Sequence, residues 1–316
     1  MQSNQLKSVP KEELIRTQFC TVFIEKNMIL LDMNQITITS LLSETKGKIA
    51  FDENLLRHLI VNQIRIYRNK FKNQYGEIVL CYDSDKRNWR KDIFAEYKFN
   101  RKKKDNPEIW EKVFDFLHKM QEELKENFPY KVLKVDHCEA DDVIAVLSKK
   151  ALSNNEKTVI VSNDKDFEQL INASVHQYRP YGKQLITEKS KNCLFEHIMN
   201  GDSSDGVPNV LSADDCFSNK KRQTPLTEKR YKALEERWSD SGVFEQDRDI
   251  LQVSDDENIK KNVIRNQKMI DFNFIPDKYI RDIDDAFNNY QQPKNNILNY
   301  FMEKKMKMLL DNITEF

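Results

Sequence analysis

Short apolar runs that end in or near an acid constrain this chain more than any other feature. Met28-Ile29-Leu30-Leu31 ends in Asp32, Ile78-Val79-Leu80-Cys81-Tyr82 ends in Asp83, and Thr158-Val159-Ile160-Val161 leads into Ser162-Asn163-Asp164. Unbroken apolar runs of this length are strands buried on both faces, the habit of parallel sheets. Amphipathic helices fall between them. Asp52 can cap one in which Leu56, Leu59, Ile60, Ile64, Tyr67 and Phe71 recur at helical steps, and Gly76 closes it. Asn106-Pro107 opens another, with Trp110, Val113, Phe114, Leu117, Met120 and Leu124 read as one core-facing stripe. Lys131 to Val135 reads as a strand, Glu139 to Ala151 as a helix, and a further helix runs through Phe167 and Leu170. Val175 to Tyr178 reads as an edge strand, and Asn295 to Leu310 as a helical tail. Strands alternating with helices predict an α/β fold, a mainly parallel twisted sheet flanked by helices. Beyond Lys191 the pattern turns helical and polar, with an exposed basic loop at Asn219 to Lys229.

Composition narrows the functional classes. Lys plus Arg and Asp plus Glu both number 51, so the bulk charge selects no polyanionic partner. The five cysteines show no C-x-x-C spacing, which predicts reduced thiols, no zinc site and a cytoplasmic setting. No apolar run reaches the roughly 20 residues of a membrane span. The five histidines lack metal-ligand spacing and are expected in core or surface roles.

The acids carry the chemistry. Asp32, Asp83, and the pair Asp164 and Asp166 follow three strands, while Glu139, Asp141 and Asp142 open a helix after a fourth. Ligands of open α/β sheets bind beyond the carboxyl ends of the strands, so these acids are expected to converge. Any one of them reads most simply as a cap or turn former, Asp142 above all, at a helix N-terminus. Seven together, with no matching cations at the strand ends, would repel one another. Hard divalent cations resolve that repulsion: all-carboxylate donors suit Mg²⁺ or Mn²⁺, and two such ions suit phosphodiester hydrolysis. Asp202 and Asp205 of GDSSD join if their loop folds back.

The stretch from Asp85 to Lys104 holds nine Lys or Arg against three acids, interleaved with Trp89, Phe94, Tyr97 and Phe99. Cations for phosphates and rings for unpaired bases predict nucleic-acid contacts at Arg87, Trp89, Arg90, Phe94, Tyr97, Lys98, Arg101, Lys102 and Lys103. A solvated charged loop is the plainer reading, but the position directly after Asp83 would place the stretch over the acids.

These segments resemble the 5′-to-3′ exonuclease and flap endonuclease family, and within it the branch from T-even-type bacteriophages. LLDMNQ, VLCYDS, WRKDIFAEYKFNR, CEADDVIAVL, VSNDKDFEQL and GDSSDGV stand in the family's order and spacing, and the ending NITEF resembles the phage branch. The resemblance implies a PIN-like nuclease core with a helical arch and a helix–three-turn–helix. It implies the core at 28–190 with the arch at about 85–105, and a helical C-terminal part at 191–316; the polar, weakly patterned leading residues fall outside the family pattern and are read as an N-terminal extension at 1–27. It places Asp32, Asp83, Glu139, Asp141, Asp164 and Asp166 at metal-ligand positions, and Asp142, Asp202 and Asp205 at positions that bind through water. Lys98 and Arg101 match arch residues that contact the scissile phosphate, with Tyr97 as a stacking platform. The implied activity is Mg²⁺-dependent removal of RNA primers and adjacent DNA from 5′ ends, acting on RNA–DNA hybrid and on nicked or flapped duplex DNA. The implied partners are a single-stranded-DNA-binding protein and a sliding clamp, with the enzyme itself a monomer. One departure stands out: the hairpin after Gly206 lacks the second glycine of the family's Gly-x-Gly hairpin, which presents backbone N–H groups to a duplex phosphate, often with K⁺, and the sequence leaves both roles open here. A non-catalytic junction binder would have lost ligand positions, and a small PIN-class ribonuclease would lack the arch and the helical third.

Overall fold

A computed structural model of the protein describes residues 27–45, 52–99, 107–240 and 253–316. The leading segment before Asn27, and the arch residues Arg101, Lys102 and Lys103, lie outside the described residues. The apolar runs form one six-stranded sheet of β1 (Met28–Asp32), β2 (Glu77–Tyr82), β3 (Lys131–Lys134), β4 (Thr158–Val161), β5 (Val175–Arg179) and β6 (Gln184–Ile186), in the order β3-β2-β1-β4-β5-β6. β1 to β5 run parallel, and β6 returns antiparallel to β5. All five residues of β1 are buried, with Leu30 set between Val79 of β2 and Ile160 of β4. The chain runs from β1 to β2 and β3 on one side, then crosses to β4 and β5 on the other. The order therefore reverses beside β1, which puts the crevice of the sheet at the carboxyl ends of β1 and β4.

Alternation along the strands feeds two cores. Ile29 and Leu31 face the side covered by α1 (Met33–Thr45), α2 (Glu53–Tyr75) and, past a short α3 (Arg90–Ile93), by α4 (Pro107–Asn127). Met28 and Leu30 face α5 (Ala140–Ser153) and the 3₁₀ turn Lys165–Leu170. Each fully buried Leu or Ile of β1 contributes about 1.5–3 kcal/mol, enough to pin the strand between its neighbours. A third core gathers α6 (Cys193–Asn200), α7 (Glu228–Asp240) and α8 (Glu257–Ile270) around Phe94 and Tyr97. Next, α9 (Asp277–Asn288) returns to the second core, while α10 (Ile297–Glu303) and α11 (Lys307–Leu310) return to the first. The helical third is thus shared among all three cores.

Several expectations need correction. β5 is interior, because the turn at Pro180–Lys183 folds β6 against it as the edge. The tail is two short helices, broken where Lys305 takes φ of 54°. Residues 201–227 are turns and irregular chain between α6 and α7, so no second helix follows the GDSSDGV loop closely. In α4, Val113, Phe116, Leu117, Met120 and Leu124 are buried, but Phe114 is 41% exposed and does not belong to the core stripe. The α2 reading holds: Asp52 accepts from Asn54 N–H at 2.9 Å and Leu55 N–H at 3.2 Å, and Gly76 closes the helix at φ 71°. The exposed loop holds from residue 219 to 227, but Lys229 already belongs to α7. Among the described residues Cys81, Cys138, Cys193 and Cys216 are free thiols. No helix among them is long and apolar enough to cross a membrane.

Candidate active site at the carboxyl edge of the sheet

A cleft of about 1480 Å³ opens at the carboxyl ends of β1, β2 and β4. Asp32, Asp83, Asp141, Asp164, Asp166, Asp202 and Asp205 line it, together with Lys98. Glu139 stands in an adjoining recess with Asp141, Asp166 and Arg90. The fold thus brings the strand-end acids and the GDSSD acids to one place.

Local structure holds each carboxylate in position. Asp32 follows the last residue of the β1 apolar run; its Oδ1 accepts from Gln35 N–H and its Oδ2 from Ser162 Oγ, both at 3.1 Å. Asp83 Oδ1 accepts from Ala140 N–H at 2.8 Å, so the start of α5 aims an amide at the acid after β2. Asp164 Oδ1 accepts from Asp166 N–H at 3.0 Å as the cap of the 3₁₀ turn. Asp202 Oδ1 accepts from Ser204 N–H at 2.8 Å and from Ser204 Oγ at 2.7 Å. Capping and lining the cleft are compatible: Asp164 and Asp202 each use Oδ1 locally and retain a second oxygen. Gly201 makes the Asp202 loop possible. Its φ is 66°, and a Cβ there would lie 2.5 Å from the Val207 and Pro208 carbonyl oxygens.

The electrostatics are those of crowded carboxylates. Burial, with Asp83 and Asp164 adding to it, raises Asp32 to about 7 against the opposing Gln35 and Ser162 hydrogen bonds. Burial also lifts Asp83, next helped by the charge of Glu139. Asp141 is pushed well above the carboxylate range, by burial first and then by Asp32, Asp164 and Glu139. Burial likewise pushes up Asp166, with Asp164, Asp202 and Asp205 adding to it. Glu139 goes the other way: burial disfavours its charge, but Lys98 and Arg90 outweigh this and hold it at about 2. Among the described residues, none of Asp32, Asp83, Asp141 and Asp164 forms an ion pair with a Lys or Arg. Oxygen donors this close, with too few cations among them, fit a hard divalent ion.

Not every expected site residue faces the cleft. Asp142 is fully buried and points away: its Oδ1 pairs with Arg90 at 2.8 Å, and its Oδ2 accepts from Trp89 Nε1 at 3.1 Å and Glu139 N–H at 2.9 Å. It is the N-terminal anchor of α5 and, unlike Asp141, does not line the cleft where a metal would sit. Four of the expected nucleic-acid contacts are also buried, Trp89, Arg90, Phe94 and Tyr97, each 5% exposed or less. Arg90 stacks over Trp89 at 4.3 Å, Phe94 enters the third core, and Tyr97 donates its hydroxyl to Glu139 at 2.8 Å and Asp205 at 3.0 Å. The stretch 89–98 is therefore a strap packed beneath the cleft, and Tyr97 is no stacking platform in this arrangement. No single periodicity announced this: α3 covers only Arg90–Ile93 and Phe94 is extended, so the inward direction of Phe94 and Tyr97 is set by what they pack against. Arg87 stays on the surface, paired with Asp92 at 3.1 Å. Lys98 reaches Glu139 and also lies 3.6 Å from Asp205. Its own N–H donates to the Asp205 carbonyl at 2.6 Å.

The cleft also holds His197, which the sequence reading gave only a core or surface role. His197, in the last turn of α6, lies 3.3 Å from the Asp166 carboxylate, and one donor atom each of Asp166, His197 and Asp202 lies within 4.8 Å of the other two. Burial lowers its pKa, opposed by Asp202, Asp164 and Asp205. Only the return of the loop through Gly201 unites these residues, so no sequence spacing announced them.

Comparison with known proteins identifies the family. The family model of the 5′-3′ exonuclease N-terminal resolvase-like domain matches residues 30–197, and that of the T4 RNase H C-terminal domain matches 189–316. Ribonuclease H of Enterobacteria phage T4 is 32% identical over 301 residues, covering 92% of this chain and 96% of that protein. Flap endonuclease Xni of Shewanella woodyi is 31% identical over 148 residues, 44% of this chain and 56% of its own. Among solved structures, the bacteriophage T5 D15 flap endonuclease in complex with DNA and metal ions superposes with a TM-score of 0.57 at 15% identity, covering 83% of this chain and 93% of that one. The T5 5′-exonuclease with bound zinc gives 0.53 at 15% identity, covering 89% and 98%. Both structural likenesses speak for the fold, whereas the sequence matches speak for descent: the chain belongs to the 5′-3′ exonuclease family of nucleases, with the flap endonucleases and the phage ribonuclease H among its relatives.

Proposed function

We propose that the protein is a Mg²⁺-dependent 5′-to-3′ exonuclease with ribonuclease H and flap endonuclease activity, removing RNA primers and adjacent DNA during phage DNA replication. The observation that carries this is the cleft itself, where acids from the ends of β1, β2 and β4 and the start of α5 crowd together. Asp32, Asp83, Asp141, Asp164 and Asp166 would hold the metal directly, with Asp202 joining them beside Asp166; Glu139, a ligand position by resemblance, is held by Lys98 and Arg90 in the adjoining recess and would act, like Asp205, as an outer partner. When bound there, a pair of divalent ions supplies an activated water and charge neutralisation at the scissile phosphate. The chain's own residues do the rest. Glu139 and Asp205 position the Lys98 ammonium at the cleft wall, where an arriving phosphate competes for it. The cations at 101–104 follow directly on this strap in sequence and would draw in the polyanion that the acids alone repel.

The domain reading goes with this: an N-terminal extension at 1–27, a nuclease core at 28–190 and a helical part at 191–316. The setting would be the cytoplasm of an infected bacterium, with a single-stranded-DNA-binding protein and a sliding clamp as partners. The test is product mapping on 5′-labelled RNA–DNA hybrid, nicked duplex and flapped duplex with titrated Mg²⁺. Short products from the 5′ end, abolished by EDTA, are expected. A folded preparation inactive on all three substrates would sink the reading.

A further inference from the structure

Among the described residues lining the cleft, His197 is the one imidazole beside the carboxylates. Asp166 comes from the turn after β4, His197 from α6, and Asp202 from the loop that follows α6. Two features of the fold bring them together. Phe195, Ile198 and Met199 bury the opposite face of α6, which leaves His197 lining the cleft. Gly201 then turns the chain back at positive φ, so Asp202 arrives beside the histidine. The His197 and Asp166 side chains are 24% and 25% exposed, open enough for an ion to reach and sheltered enough to keep their orientation. This corner is chemically unlike the wall formed by Asp32, Asp83, Asp141 and Asp164, where every charged donor is a carboxylate oxygen.

We propose that His197 ligates, together with Asp166 and Asp202, one of the divalent ions of the cleft, and that it biases this position toward Mn²⁺, Co²⁺ or Zn²⁺ over Mg²⁺. The inference rests on the nuclease reading and deepens it. Imidazole nitrogen suits the transition metals, whereas Mg²⁺ favours oxygen and retains its waters. The two positions of one cleft would then differ in metal preference, an all-oxygen one open to Mg²⁺ and a nitrogen-bearing one that discriminates.

The experiment is pulsed electron paramagnetic resonance on the full chain loaded with Mn²⁺. A directly bound ¹⁴N should modulate the Mn²⁺ echo, change to the ¹⁵N pattern in protein grown with ¹⁵N-histidine, and vanish in His197→Ala. By calorimetry, His197→Ala should weaken Mn²⁺ at one position by at least about ten- to a hundredfold, the loss that removing an outer support of a metal already causes. Mg²⁺ binding should move much less. His197→Asp is the second variant, and it should restore binding while narrowing the Mn²⁺ to Mg²⁺ ratio. Circular dichroism and thermal melting establish that both variants fold. Bound Mn²⁺ that supports cleavage without any nitrogen coupling would overturn this inference alone, leaving His197 as a hydrogen-bond partner that orients Asp166. Absence of both Mn²⁺ binding and cleavage would overturn the nuclease reading with it.

Discussion

Asp141 and Asp142 are neighbours at the start of α5, and helical geometry turns their side chains roughly 100° apart. Asp141 faces the cleft among like charges, and Asp142 faces inward onto Arg90. The same substitution should therefore act in opposite senses on stability. Asp141→Asn relieves repulsion, so in EDTA its melting temperature should rise, by roughly 2–4 °C for each kcal/mol relieved, while Mg²⁺-dependent cleavage falls. Asp142→Asn takes from the buried Arg90 its nearer carboxylate, leaving Glu139 at 3.6 Å, and should cost up to about 3–5 kcal/mol in urea unfolding. Matching shifts in the two variants would contradict the opposite orientations. At Lys98 the question is chemistry against binding. Lys98→Ala should slow single-turnover cleavage at saturation by about 10²–10³-fold, the usual effect of losing one donor to a developing charge. Its effect on substrate affinity should be much smaller. An unchanged single-turnover rate would remove Lys98 from the scissile phosphate.

The strap 89–98 and the loop 201–207 form one clamp. Tyr97 and Lys98 reach across to Asp205, and Gly206 sits against the strap with φ of 75°. A Cβ on Gly206 would lie 3.0 Å from the Glu96 carbonyl oxygen, so Gly206→Ala combines backbone strain with a tight contact. It should loosen the clamp, read as faster amide exchange at Lys98, whose N–H donates to Asp205. Amides of β1, in the centre of the sheet, should be unaffected. Unchanged exchange at Lys98 would mean that the strap holds the loop without help from Gly206. The strap also explains why a basic, aromatic stretch reads on paper as a surface. Its charges and rings share a segment, but α3 ends at Ile93, and contacts with distant segments bury Arg90, Phe94 and Tyr97 while Arg87 stays outside.

For the molecule as a whole, the acid cluster makes stability depend on pH in a defined sense. Asp32 titrates near 7 in the folded chain against 3.8 ordinarily, so between those values the folded state keeps a proton that the unfolded chain has released. The unfolded state binds fewer protons there, and stability must fall as pH rises through that window. The raised Asp83, Asp141 and Asp166 act in the same direction. Melting in EDTA should accordingly drop between about pH 5 and about pH 7.5, and Mn²⁺ or Mg²⁺ at the upper pH should restore it. A flat or rising metal-free profile would show that the acids are not crowded in solution. The sequence by itself determined the parallel sheet, the helix starts and the acids at the strand ends, because strand burial and capping are local patterns along the chain. Only the tertiary structure decided which oxygens face the cleft. It turned Asp142 onto Arg90, sank Trp89, Phe94 and Tyr97 beneath the site, moved Phe114 out of the core stripe and brought His197 to Asp166. Each of those outcomes depends on contacts between segments far apart in the chain, and local patterning alone does not encode the direction in which a side chain meets a distant neighbour.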